Sequence, residues 1–121
     1  MFPLEKLEVY AQARRFAASC RAAGETIVDR DLRSQLLRAS RSVPANLAEG
    51  VASESQANFA RFIAIAIASA RETSCHLHLA QDAGLLDTGR CAELQAHVEH
   101  LIPRLVRLLQ AVRRNAKRRT G

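Results

Sequence analysis

Apolar residues recur along the chain at steps of three and four, the spacing that lines one face of an α-helix. The first such stretch runs from Leu4 to Gly24. It places Leu4, Leu7 and Ala11, then Val9, Ala13, Phe16 and Cys20, on a broad stripe, with Arg14, Arg15 and Arg21 largely off it, and Gly24 suits its end. A second stretch opens near Asp29 or Asp31, either of which suits a helix N-cap. It sets Leu32, Leu36, Ala39, Val43 and Leu47 at steps of four, three, four and four. Pro44 lies within that stripe, so a kink or a brief break is expected near Arg41 to Val43.

Gly50 and the polar run Ser53-Glu54-Ser55 mark the next joint, and Ser53 followed three residues later by Gln56 matches a capping box. The third helix then runs to about Ala83. Phe59, Phe62, Ala66, Ala70, Thr73, Leu77 and Ala80 share one face, while Ile63, Ile65 and Ile67 carry apolar character around much of the circumference. One bundle core cannot use all of that surface, and a second subunit is the simplest cover for the rest. Gly84 suits the stop, and Asp87 or Thr88 the cap of a fourth helix. There Leu94, Val98, Leu101, Leu105, Leu108 and Val112 form a near-heptad seam beside Ile102 and Leu109. The register continues unchanged across Pro103, which predicts a bend rather than a stop. Four helices with short connections predict an all-α, antiparallel up-down-up-down bundle, with residues 1–112 in the bundle and 113–121 as a basic C-terminal tail.

Composition agrees with that class. The 121 residues suit a single domain and include 22 Ala, 15 Leu and 16 Arg, all strong helix formers. The longest apolar run, Phe62 to Ala68, is far shorter than a membrane-spanning helix requires. The N-terminus meets Glu5 at once and lacks the pattern of a secretory signal, so a cytoplasmic location is expected and no membrane partner. Cys20, Cys75 and Cys91 are odd in number and without a C-x-x-C spacing, which suits reduced core thiols.

The distribution of charge is more informative than the net +6. Seven basic residues, Arg104, Arg107, Arg113, Arg114, Lys117, Arg118 and Arg119, follow Pro103 without one acid, whereas residues 1–103 carry eleven basic and twelve acidic residues. A field of this kind attracts a polyanion, nucleic acid before membrane. The same residues also suit a solvated helix end whose cations complement the helix dipole.

Catalytic and metal motifs are hard to find. No Glu is followed by His three residues later, as a di-iron bundle requires. His76 and His78 point in different directions on a helix, and His97, His100 and Glu93 form at most a weak metal grouping. The five glycines are too dispersed for a phosphate loop, no Ser sits in G-x-S-x-G, and neighbouring Cys75 and His76 diverge on a helix. No enzyme activity and no cofactor are expected. One Tyr and no Trp leave little for base stacking, so nucleic-acid contact is expected to be phosphate-directed and salt-sensitive.

Two blocks carry a resemblance. Leu32-x-x-Gln35-Leu36-x-Arg38-Ala39-x-x-Ser42-Val43-Pro44-Ala45-Asn46-Leu47-Ala48-Glu49-Gly50 and Phe59-x-Arg61-Phe62-Ile63-x-Ile65-Ala66-x-Ala68-Ser69-x-x-Glu72 resemble the small bacterial four-helix-bundle proteins encoded in intervening sequences of large-subunit ribosomal RNA genes. Leu4-x-x-Leu7-x-Val9-Tyr10 and Ala83-Gly84-Leu85-Leu86 are similar to further parts of that pattern. Most members of the family have no assigned activity. The best understood relatives are accessory proteins of diversity-generating retroelements, basic homopentamers that bind nucleic acid and a reverse transcriptase. The resemblance therefore implies a homo-oligomer, with the surplus apolar face of the third helix against a neighbouring subunit and the cations on an RNA- or DNA-facing surface. Pro103 and the arginine tail are not part of the pattern, so the tail's role rests on its charge alone.

The motif residues also have a structural reading. Ser42 and Pro44 organise the kink, Asn46 satisfies backbone groups that it frees, and Glu49 pairs with Arg61, with Glu72 or Arg38 nearby. Two functions follow from the whole: an oligomeric bundle that contacts RNA or DNA backbones, or a protein-protein adaptor ring with no affinity for nucleic acid.

Overall fold

The computed structural model describes residues 7–120, with side chains to Arg118. Its elements are α1 (Glu8–Gly24), α2 (Arg30–Ala52), α3 (Gln56–Asp82) and α4 (Thr88–Thr120), with no strand among the described residues. Leu4 and the Arg119 side chain, both invoked above, lie outside the described residues. Each helix packs on the two beside it, in the ring α1–α2–α3–α4, and the α4–α1 seam that closes the ring is the loosest. The connections are only 25–29, 53–55 and 83–87, too short for anything but antiparallel neighbours. The all-α up-down-up-down bundle is therefore the fold of this chain.

The predicted stripes meet in one core. Phe16 and Cys20 of α1, Leu36, Val43 and Leu47 of α2, Ile63 and Leu77 of α3, and Leu94, Leu101 and Leu105 of α4 are all buried in it. Burial of each large side chain of this kind contributes about 1.5–3 kcal/mol. Ile27, in the α1–α2 connection, is also fully buried and anchors that turn to the core.

Local chemistry sets the helix ends. The Asp29 carboxylate accepts from the Leu32 amide at 3.0 Å and caps α2, and Asp87 accepts from the Arg90 amide at 3.1 Å at the start of α4. Gly84 has φ +72°, and the Leu85 amide bonds back to the Ala80 carbonyl at 2.9 Å. That left-handed glycine closes α3 at the position the sequence indicates. The α3 cap differs from expectation. Ser55, not Ser53, accepts from the Asn58 amide at 3.1 Å, because the Ser53 hydroxyl is spent on the Gly50 carbonyl at 2.6 Å, ending α2.

One further expectation is corrected by packing. Ile63 and Ile67 are not surplus: α3 sits between α2 and α4, so a wide arc of its surface is buried within the chain. Of the three isoleucines only Ile65 stays exposed, at 37%, together with Leu79 at 49%. α2 continues through Pro44 without a break, and α4 continues through Pro103 without a stop, as its unchanged register predicts. Pro103 is exposed, as is Glu99, whose carbonyl loses its helical donor on the solvent side where water can replace it. No linker separates residues 113–120 from the bundle. They continue α4 for about 12 Å past Val112, the last buried residue among those described.

Candidate nucleic-acid interface

The second-helix motif forms a polar seam between α2 and α3. Asn46 donates from Nδ2 to both the carbonyl and the hydroxyl of Ser42, each at 2.8 Å, and the Ser42 hydroxyl meets the Ser69 hydroxyl of α3 at 2.8 Å. Asn46 therefore does not serve the carbonyl that Pro44 frees, which belongs to Ser40, four residues back. It locks Ser42 toward α3 instead. Thr73 donates to the Ser69 carbonyl at 2.7 Å one turn further on.

Gly50 completes the seam by absence of a side chain. A Cβ there would lie 2.7 Å from Phe59 Cδ1 and 3.1 Å from Phe62 Cβ, so α2 and α3 approach more closely than any larger residue permits. The expected ion pairs are rearranged. Glu49 is exposed and pairs with nothing among the described residues, and the Arg61 guanidinium lies 4.5 Å from the centre of the Phe62 ring. Glu72 is the acceptor, 3.6 Å from Arg38 Nη2 and 3.3 Å from His76 Nε2. His76 is only 7% exposed, and its Nδ1 is buried without a partner. Of these contacts Arg38–Glu72 joins α2 to α3 and the others lie within α3; none pairs a nucleophile with a base.

The thiols divide. Cys20 and Cys91 are buried as expected, and Cys75 is exposed, because α3 turns it away from both neighbouring helices. Burial pushes the Cys20 thiol from 9.0 up to about 12, opposed by its hydrogen bond with Ser40 and by the charge of Arg90. Burial likewise raises Cys91, whose Sγ lies 3.6 Å from the Leu77 carbonyl oxygen. Both are inert as nucleophiles at neutral pH. Glu93 is held by Arg90 Nη1 at 3.0 Å, and no three metal-ligating side chains converge among the described residues.

The cations of α4 are arranged by helical phase. At about 100° per residue Arg107, Arg114 and Arg118 fall within about 40° of one another, on the face opposite the Leu94, Leu101, Leu105 and Val112 seam. All three are exposed. Arg113 and Lys117 occupy a flank. Arg104 lies on the other flank and turns to α1, where its Nη1 donates to Gln12 Oε1 at 3.0 Å. Arg107, Arg113, Arg114 and Arg118 form no ion pair among the described residues. Arg15 of α1 lies outside the basic run of residues 104–119, yet it shares a groove with Arg104. Its place off the first apolar stripe was the only signal.

A four-helix bundle with a short-residue contact between α2 and α3 and a cationic last helix defines the class. Within it, residues 5–107 match the family profile of the 23S rRNA-intervening sequence proteins, and the chain belongs to that family. The fold is shared with a protein of unknown function from the S23 ribosomal protein family of Bacteroides thetaiotaomicron VPI-5482. The two are 21% identical with a TM-score of 0.78, over 84% of this chain and 97% of that one. No curated protein matches the sequence. No helix among the described residues is long and apolar enough to cross a membrane.

Proposed function

We propose that this protein is a non-enzymatic, self-associating helical bundle that binds RNA or DNA through backbone phosphates. The observation that carries the reading is the outer face of α4. Exposed Arg107, Arg114 and Arg118 stand in line along one continuous helix, and residues 104–121 include no Asp or Glu. Guanidinium groups in this arrangement suit phosphate oxygens and carry no base-reading geometry, so contact is weakly sequence-specific. Family membership is consistent with it, and the resemblance to retroelement accessory proteins extends it to a homopentameric ring with a reverse transcriptase as partner. Exposed Ile65 and Leu79 on α3 supply apolar surface for such protein contacts, and they also support the second reading, an adaptor without nucleic-acid affinity.

The test is fluorescence anisotropy of labelled structured RNA and duplex DNA, at low and moderate salt, with the whole protein and a variant carrying R113Q, R114Q, K117Q and R118Q. Binding is expected to weaken with salt, and on duplex DNA the slope of log K against log salt should fall by roughly 0.9 for each lost phosphate contact. Absence of binding at low salt by the folded protein would overturn the proposal in favour of the adaptor.

A further inference from the structure

The loose α4–α1 seam opens into a groove of about 330 Å³ lined by Gln12, Arg15, Ala96, His97, His100 and Arg104. Its composition is one-sided. Two guanidinium groups, two imidazoles and an amide face one space, and among the described residues no carboxylate lines it. The three ion pairs among the described residues, Arg38–Glu72, His76–Glu72 and Arg90–Glu93, all lie outside this lining. On α4, His97, His100 and Arg104 follow one another at steps of three and four and so share a face; on α1, Gln12 and Arg15 do the same.

The donors are also positioned before any ligand arrives. The His97 ring stacks on the fully buried Phe16, with centroids 6.3 Å apart and planes 28° from parallel, which fixes the imidazole against the groove wall. Arg104 is steered across the seam by its 3.0 Å bond to Gln12 Oε1. That bond uses one of the five guanidinium N–H groups and leaves the rest available. Gathering like charges without a counter-charge is unfavourable, and an anion seated between them reverses the sign of that term.

We infer that the α1–α4 groove is an oxyanion site that takes a phosphate group, held between Arg15 and Arg104 with N–H donors from His97 and His100. The inference deepens the nucleic-acid reading and rests on it for the biological source of the phosphate, but the site is distinct from the outer face of α4. Arg104 lies about 20 Å along the helix from Arg118. A discrete pocket of this kind seats one phosphate at a fixed place, whereas the arginine line on the outer face supplies attraction without register. Together they orient a strand on the bundle.

The experiment is an NMR titration of the whole protein with inorganic phosphate, at fixed pH and at ionic strength held constant with chloride, following the imidazole Cε1–H signals. His97 and His100 are expected to shift saturably while His76 and His78 do not. The R15Q and R104Q variants are expected to weaken the response by about tenfold or more, each removing a charge-assisted donor. The R113Q/R114Q/K117Q/R118Q variant should titrate like the parent even where its RNA binding is lost, which separates this site from the outer-face reading. A short RNA oligonucleotide that moves the same two signals identifies nucleic acid as the source; phosphate alone moving them identifies a free anion, and either outcome upholds the site. Equal shifts at all four histidines, no shift beyond the chloride control, or unchanged titration of both folded arginine variants would overturn it.

Discussion

Ser42 of α2 and Ser69 of α3 meet hydroxyl to hydroxyl at 2.8 Å across the interface of the two helices. Asn46 donates to the Ser42 oxygen, so the Ser42 hydroxyl links the Asn46 amide to Ser69, and either serine can be the donor between the two hydroxyls. A polar contact of this kind fixes the sliding position of one helix on the other, which purely apolar surfaces leave weakly defined.

Ser42→Ala and Ser69→Ala are each expected to lower stability by about 1 kcal/mol, and the double variant by less than their sum. Urea unfolding of the four proteins in the cycle measures the coupling. Strict additivity would show that the two hydroxyls do not interact.

Gly50→Ala is expected to destabilise by about 1–3 kcal/mol, despite a gain in helix propensity of about 1 kcal/mol. The Phe59 ring can rotate away from a new methyl group, but Phe62 Cβ, at 3.1 Å, is tied to the α3 backbone and moves only if the helices part. A rise in Tm would refute this packing account.

Neighbouring carboxylates of the motif should behave differently. Glu49→Ala is expected to change stability by no more than about 0.5 kcal/mol, because the side chain is exposed and unpaired. Glu72→Ala is expected to cost about 1–2 kcal/mol. Its exposed pairing with Arg38 is worth little, but its loss leaves the ring of buried His76 without any partner. Thermal melts of the two variants side by side decide the order.

Alkaline conditions should loosen the fold through Cys20. In the folded chain the thiol keeps its proton to about 12, whereas the unfolded chain releases it near 9.0, so raising the pH across that interval favours the unfolded state. Stability is expected to be intact below pH 9 and then to fall by up to about 1.4 kcal/mol per unit, with Cys91 adding in the same direction. Cys20→Ala should give a shallower decline between pH 9 and 10.5 in chemical denaturation.

Much of the fold was legible from residues that act locally. Asp29 and Gly84 announce a start and a stop because a cap needs only its own turn of backbone, and the α4 seam is long enough to establish its phase. What could not be read depends on partners distant in sequence. Ser53, with Gln56 three residues on, is the better cap by sequence until the Gly50 carbonyl claims its hydroxyl and leaves the cap to Ser55. Ile63 and Ile67 look surplus until α2 and α4 close on both sides of α3. The meeting of Arg15 with Arg104 arises from the packing of the first helix on the last. The exchange of Arg61 for Arg38 as a carboxylate partner has the same origin, since periodicity gives the face of a residue and not the neighbour it faces.

The continuation of α4 beyond the core makes its final turns a conditional helix. Past Val112 none of the residues whose side chains are described is fully buried, and Arg113 with Lys117, and Arg114 with Arg118, are like charges four apart, each pair opposing the helix by about 0.2–0.5 kcal/mol. A helical end this short gains little from propagation alone. Its degree of order is therefore set by the ions around it, and an anionic chain laid along it would be ordering its own landing surface as it arrives.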